Sequence, residues 1–569
     1  MAVIRIDQFK GIAPAVSPVK LADGAAVDCH DARFIATSLV PEQDSTLVDL
    51  VSPNVNSIYK WLDQYWLTST QGEIFIESPV ANDVHKRIYV FGGDYPKYSA
   101  FDIALQGYGQ VNTPPVWLYK QPNFPVNTYR LGVPAPNTAG VVFTPTVAVS
   151  GDADDDASEI TTSYVYTLVT EFGEEGPPSR PSSLVSYLEG QSRTITIDVE
   201  ADGNYAFGAA ALKRIYRTAT GNTGTEFLFV AQIPYATSSY EDTTADSQLG
   251  EVLPSVNWFR PLDDDTSYAP DGPLQKAVLM PGGFLASFAG RTVCFSEQYL
   301  PHAWNPNNFL VTESNIVTIQ DSSFGLVVLT ETQPYVAVGD IPEAMGLAKL
   351  DVDQSCSSAR SVADLGGQII YASPDGLVAI AGNQAQLITD GIITRAQWQS
   401  SYNPSSIIGV VSENRYFGFY TYNNQPKAFV YDPSNPDAPF ALISQTAQAT
   451  HVSAKDDALY LVTASALAWA GGNNGLQIYG TGSPKTMRWT SKTYFLPVDT
   501  TFSWARVIAD GDVELQILVD SNLVFEKVYV TDSEPFRLPA ETRGRKLTVI
   551  LQSTHRIDSV SIASERGEV

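Results

Sequence analysis

Chemistry needs groups that take a proton, attack a carbon or hold a metal, so the histidines, cysteines and clustered carboxylates are read first. His30, His85, His302, His451 and His555 stand alone, with no second histidine three or four residues on and no His-Glu-x-x-His. Helix-borne metal ligation therefore has no support, and structural or surface positions account for all five. Cys29, Cys294 and Cys356 are far apart and lack Cys-x-x-Cys spacing, which predicts reduced, buried thiols rather than a zinc site or a disulfide framework. Asp152, Asp154, Asp155 and Asp156 offer oxygens that could attract calcium, but Ala157 and Ser163 stand where an EF-hand loop requires glycine and glutamate. The run reads instead as a solvated approach to the strands that follow. There is no Gly-x-Ser-x-Gly elbow, no phosphate-binding loop and no dinucleotide fingerprint. A carboxylate pair for glycoside hydrolysis cannot be singled out among 62 acidic residues. No catalytic, cofactor-binding or metal-binding residue is assigned, and the chain is expected to be no enzyme and to need no cofactor.

The elements that would position such groups are β-strands. The 569 residues are 44% hydrophobic and include 28 Tyr, 25 Phe, 40 Gly and 36 Pro, with scarce helical periodicity; this predicts an all-β protein with substantial cores. Segment Pro404 to Val411 could open either a short helix or a strand. Paired strands are expected at Tyr65, Phe284, Gly325, Gly366, Arg415 and Asp456, and from Phe284 the steps are 41, 41, 49 and 41 residues. That matches the roughly 40–50-residue period of propeller blades, each of which needs neighbours to cover its apolar faces. A two-sheet sandwich with coincidental spacing is the alternative. The turn Ser373-Pro374-Asp375-Gly376 has some likeness to the aspartate-box turns of sialidase propellers, but it lacks the residue between Asp and Gly and the following aromatic, so a plain hairpin turn is expected.

The expected architecture is a propeller-like body over 1–140, an inserted sandwich over 141–258, the remaining blades over 259–485 and a terminal β-sandwich over 486–569. Trp489, Phe495, Phe502, Trp504 and Phe536 are expected in the core or at an inter-domain contact of the last unit. The inserted stretch resembles a fibronectin type III module in Tyr164 and Tyr166 ahead of the Glu-x-Gly-Glu-Glu-Gly-Pro turn, in Ile215, Tyr216 and Arg217 opening the next sheet, and in the closing strand at Tyr240, Asp242 and Thr243. Gly173, Gly176, Pro177 and Pro178 are expected to shape one end of it.

Charge restricts the partners. Lys+Arg 35 against Asp+Glu 62 gives −27, a sign that repels phosphate backbones and anionic lipid headgroups. The nearest basic cluster, Arg543, Arg545 and Lys546, has no adjacent aromatic and reads as a polar turn or as a contact for an acidic neighbour in an assembly. No run of 18 apolar residues occurs and the N-terminus lacks a signal-peptide core, so folding in the cytoplasm and no membrane span are expected.

The ends of the chain supply the remaining signal. Ile4 to Val16, with Leu-x-Asp-Gly-x-Ala and Asp-Ala-Arg between Leu21 and Arg33, resembles the opening of tail nozzle, tubular or hub proteins of short-tailed bacteriophages. Gly290 to Trp304, Arg-Trp-Thr-Ser-Lys from Arg488 and Phe-Arg-Leu-Pro-Ala from Phe536 are similar to the middle and end of the same proteins. The resemblance implies a homo-oligomeric ring of about six copies below the portal and head-to-tail adaptor, with tail fibres or spikes outside and double-stranded DNA passing through during ejection. It places the protein in the virion tail. A carboxylate-lined bore would let DNA slide without sticking. The alternative is a propeller that binds or hydrolyses glycans, with Trp61, Trp66, Trp304 and Trp469 as sugar platforms rather than packing residues.

Overall fold

The computed structural model describes residues 3–101, 128–138, 141–197, 205–221, 224–261, 272–464, 473–530 and 533–569. The protein is all-β: strands run from Val3–Ile6 to Ile557–Ala563, and Arg395–Tyr402 forms a short α-helix. Thr394 caps that helix, its hydroxyl oxygen accepting the Gln397 N–H at 3.3 Å, and Asn403 ends it in the left-handed region at φ 42°. The ambiguous segment after it holds both structures, a 3-10 turn at Pro404–Ser406 and then the strand Ile408–Ser412.

Among the described residues, five antiparallel sheets of four strands each follow one another in a simple manner. They include Ile74–Glu77 to Tyr129–Arg130, Ala277–Leu279 to Leu300–Val311, Ile316–Ser322 to Gly346–Lys349 and Ala363–Asp364 to Gln384–Leu387. The fifth joins Ala449–Val452, Leu459–Thr463 and Asn474–Ile478 to Thr46–Val51 from the far end of the chain. Ile408–Ser412 to Phe440–Ile443 repeats the pattern within a ten-stranded sheet, and Ser57–Trp61 pairs with Tyr65–Ser69 alone.

Both faces of the inner strands of these sheets are buried. In Gly325–Thr330, Leu326 and Val328 pack toward Phe288 and Phe295, whereas Val327 and Leu329 pack toward Ile369 and Tyr371. That is why the strand reads as an unbroken apolar run and not as an alternation. The same sharing links every sheet to the next. Trp66 joins Tyr460 and Val462, Trp61 joins Phe75 and Val90, Phe91 joins Leu285 and Trp304, Ala372 joins Tyr416 and Phe429, and Phe417 joins Leu461. The shared cores run through seven sheets and return to the first.

Two expectations change at the chain ends. The strands Tyr65–Ser69 and Ile74–Glu77 do not form a hairpin, because each finds a different partner, Ser57–Trp61 and Ile88–Phe91. The first forty residues do not stay with the strands that follow them. Val3–Ile6 pairs with Ile557–Ala563, and Ala26–His30 pairs with Met487–Ser491. Within the C-terminal unit Trp489 and Phe502 are fully buried, but Phe495 is 60% exposed, since it shares the outer face with its cross-strand neighbour Lys546. Arg543, Arg545 and Lys546 open the strand Arg543–Ser553 instead of forming a turn.

The inserted stretch is a layered antiparallel unit. Tyr164–Val169, Leu212–Gly221 and Gly224–Pro234 form one sheet, and Thr146–Ser150, Ser192–Thr196 and Ser239–Asp242 form another. Ile215, Tyr216 and Arg217 do not open a new sheet: they pair directly with Tyr166, Val165 and Tyr164. The unit's core of Tyr164, Tyr166, Ile195 and Ile233 also takes in Val133, so the packed unit begins before residue 141.

Candidate functional site

The groups that could do chemistry are dispersed. Among the described residues no three His, Cys, Asp or Glu side chains are arranged to hold a metal ion. The three cysteines are buried and form no disulfide, and burial pushes the Cys356 thiol up to about 12. Ser373 to Gly376 is a hairpin turn, with the Ser373 N–H donating to the Gly376 carbonyl at 2.8 Å and Asp375 paired to Arg395 at 2.9 Å. Trp61, Trp66 and Trp304 are buried at 1%, 4% and 0% exposure, which removes three sugar platforms; Trp469 lies outside the described residues.

Two junctions concentrate the polar and aromatic residues instead. The first is the seat of the inserted unit on the neighbouring sheets. The segment from Thr170 to Gly176 is closed by hydrogen bonds of the Gly173 N–H to Thr170 and of the Gly176 N–H to Leu168, at 2.9 and 3.0 Å. Gly173 takes φ +79° there, a conformation that favours glycine. The turn projects Phe172 to 4.6 Å from the His85 ring and 6.1 Å from that of Tyr98. Glu174 accepts from Arg87 Nη1 at 2.6 Å, while Arg87 Nε donates to Asp83 at 2.7 Å. All three side chains are nearly buried. Burial opposes the charge on Asp83, but its hydrogen bond and ion pair with Arg87 prevail and hold the carboxyl below its usual range.

His302 sits across this pair, its Nδ1 3.8 Å from Glu174 and its ring edge-on to Trp258 at 6.4 Å. Its Nε2 is buried with no hydrogen-bond partner among the described residues, and burial depresses its pKa. Gly176 lies against Val133, where a Cβ would come within 2.7 Å. The expected turn is therefore also a plug. The glutamate next to Glu174 faces inward, with Glu175 accepting from Thr167, Tyr216 and Arg214 at 2.7, 2.8 and 2.6 Å.

At another part of the inserted unit, buried Asp242 accepts from Tyr164 and Arg193 at 2.7 and 2.9 Å and pairs with Arg217 at 3.2 Å. A cavity of about 350 Å³ adjoins this network, with Asp154, Glu189, Asp246, Arg193 and Tyr187 in its wall. The four aspartates of the approach are exposed.

The second junction closes the chain ends on each other. Phe9 meets Trp489 edge-on at 5.0 Å, and Trp489 Nε1 donates to the Lys10 carbonyl at 3.0 Å. Lys492 Nζ donates to the Leu21 carbonyl at 3.2 Å and pairs with Asp23. The Gly11 N–H donates to the Ala438 carbonyl at 3.0 Å, and a Cβ on Gly11 would overlap the Phe440 carbonyl oxygen. The arrangement is mechanical, with buried pairs and close backbone approach holding units together.

No protein-family model and no curated protein matches the chain. Among solved structures it is similar to an exported protein of Bacteroides fragilis at 9% identity, over 46% of this chain and 88% of that one, with TM-score 0.26. Apo AztD of Citrobacter koseri shares 11% over 69% and 99%, also at 0.26. An exo-β-1,3-galactanase of Phanerochaete chrysosporium shares 10% over 54% and 99%, at 0.19. Likeness at these scores carries no argument about function.

Proposed function

We propose that the chain is a structural tail protein of a short-tailed bacteriophage, the subunit of a nozzle or hub ring below the portal and adaptor that conducts DNA during ejection. About six copies surround the bore in this reading, and tail fibres or spikes dock outside. The protein resides in the virion tail after assembly in the host cytoplasm.

The observation that carries the reading is the convergence of the resembling segments. Residues 4–16 and 21–33, Arg488 to Lys492 and Phe536 to Ala540 come from opposite ends of the chain, yet they build one layered unit through the pairings of Ile4 with Ile562, Cys29 with Trp489 and Ala505 with Phe536. The remaining segment, Gly290 to Trp304, lies at the seat of the inserted unit through Cys294, His302 and Trp304. A propeller-like body is supported by the closed cycle of shared cores. Such a body is stiff, as a conduit wall has to be, and the net charge of −27 offers passing DNA few phosphate partners.

Negative-stain imaging of the purified chain mixed with portal and adaptor tests this. Stacked rings are expected. Monomers that cleave or retain glycans would favour the enzyme or lectin reading, which has already lost Trp61, Trp66 and Trp304 to the core.

A further inference from the structure

The ring reading leaves open which surfaces join one copy to the next, and two edges on this chain are matched in charge, backbone and apolar content. The first belongs to the C-terminal unit. Among the described residues, Tyr494–Thr501 pairs on one side only, with Arg543–Ser553, so its other edge offers unpaired backbone groups there. Phe495 and Val498 on it are 60% and 64% exposed. Beside them stand Arg543, Arg545 and Lys546, all exposed; Arg545 reaches the Pro497 carbonyl at 2.5 Å and lies 3.9 Å from Asp499. Residues 486–569 carry 10 basic against 12 acidic side chains, nearly neutral in a chain of −27.

The second edge belongs to the inserted unit. Among the described residues, Val185–Leu188 pairs on one side only, with Glu159–Thr162, and Leu184 and Leu188 are 75% and 37% exposed. The Asp154 N–H donates to the Glu189 carbonyl at 2.8 Å, which holds the exposed run Asp152, Asp154, Asp155 and Asp156 at the Glu189 end of this strand. Four of the unit's five cations are held internally: Arg193, Lys213 and Arg217 are buried, Arg214 is held by Glu175, and Arg180 alone of the five is exposed. The adjoining cavity of about 350 Å³ has Asp154, Glu189 and Asp246 in its wall, a lining suited to a guanidinium or ammonium group.

We propose that these two edges bind each other between copies, so that the edge Val185–Leu188 with its aspartates and acidic cavity receives the edge Tyr494–Thr501 and the basic side chains Arg543, Arg545 and Lys546 of the next copy. Such a contact joins unlike surfaces head to tail, the kind that closes rings when the rotation permits. Edge pairing supplies backbone hydrogen bonds, Phe495 and Val498 supply apolar anchors, and the charges set register and partner choice. This inference rests on the ring reading, and the experiment separates the two.

Sedimentation of the full chain at about 50 mM and about 500 mM salt reads self-association and its screening. The acidic edge is reversed with Asp152→Lys, Asp154→Lys, Asp155→Lys and Asp156→Lys, and the basic edge with Arg543→Glu, Arg545→Glu and Lys546→Glu. Each set is expected to weaken association at least about tenfold, and both sets in one chain to restore it. Unfolding midpoints should stay at the wild-type value, because all seven side chains are exposed. Rings that persist through either reversal, or a combined variant that fails to reassemble, would overturn this contact and leave the ring reading standing. A wild-type chain that stays monomeric at low salt would overturn both.

Discussion

His451 illustrates what burial does to a single side chain. Its Nε2 accepts the Lys60 N–H at 3.4 Å, and its ring meets Tyr59 at 5.1 Å and Trp66 at 6.0 Å. Burial, with the Lys60 charge adding to it, pushes the imidazole down to about 4. An unfolded histidine titrates near 6.5, so between about pH 6.5 and 4 the unfolded chain binds a proton that the native one refuses. Stability must fall as the pH drops through that window. Urea unfolding across it should show His451→Gln losing less stability than the wild type, by at most about 3 kcal/mol. An unchanged slope would mean that the ring is not enclosed as described. His302, depressed by burial at the seat, adds a slope of the same sign, so the variant keeps part of the dependence. Phe495 marks the limit of residue-type reasoning: an aromatic on an alternating strand is expected in the core or at an inter-domain contact, and its edge position leaves it 60% exposed.

At the scale of elements, the seat of the inserted unit depends on one guanidinium shared by two buried carboxylates. Arg87→Met leaves Asp83 and Glu174 unpaired and is expected to cost about 3–5 kcal/mol, or to release the unit from its seat. Combining it with Glu174→Gln should recover part of the loss. Denaturant unfolding together with limited proteolysis between residues 133 and 145 reads both outcomes, and a near-neutral Arg87→Met would remove the seat from the account.

The strand period from Phe284 onward was legible because tight turns of Asn, Gly and Pro punctuate runs of similar length. The pair expected at Tyr65 was not, because its two strands are separated by a turn that also separates two sheets. The pairing of Val3–Ile6 with Ile557–Ala563 joins residues more than 550 positions apart, and a local pattern cannot specify a partner at that distance. Nor could the seat be read. Gly173 and Gly176 explain a turn by themselves, and nothing local says that Phe172 and Glu174 face a neighbour while Glu175 faces inward. The segments at the two ends of the chain were visible as strings, but their convergence into one unit required the three-dimensional pairing.

For the molecule as a whole, seven sheets share cores in a closed cycle, the chain ends lock into one further unit, and the inserted unit is held on by a buried ion pair. Among the described residues no three His, Cys, Asp or Glu side chains are grouped to hold a metal ion. The construction concentrates stiffness, and it leaves the Asp152 to Asp156 run on the surface while Arg193, Lys213 and Arg217 of the inserted unit are drawn inside. A passive wall for a polyanion requires that combination, because any phosphate contact repeated along the duplex would act as a brake. The most direct test of the proposed ring is a cryo-electron microscopy map of the assembly this chain forms. A central bore wide enough for duplex DNA and lined mainly by carboxylates is the predicted result; an assembly without a bore, or a bore coated with lysine and arginine, would contradict the account.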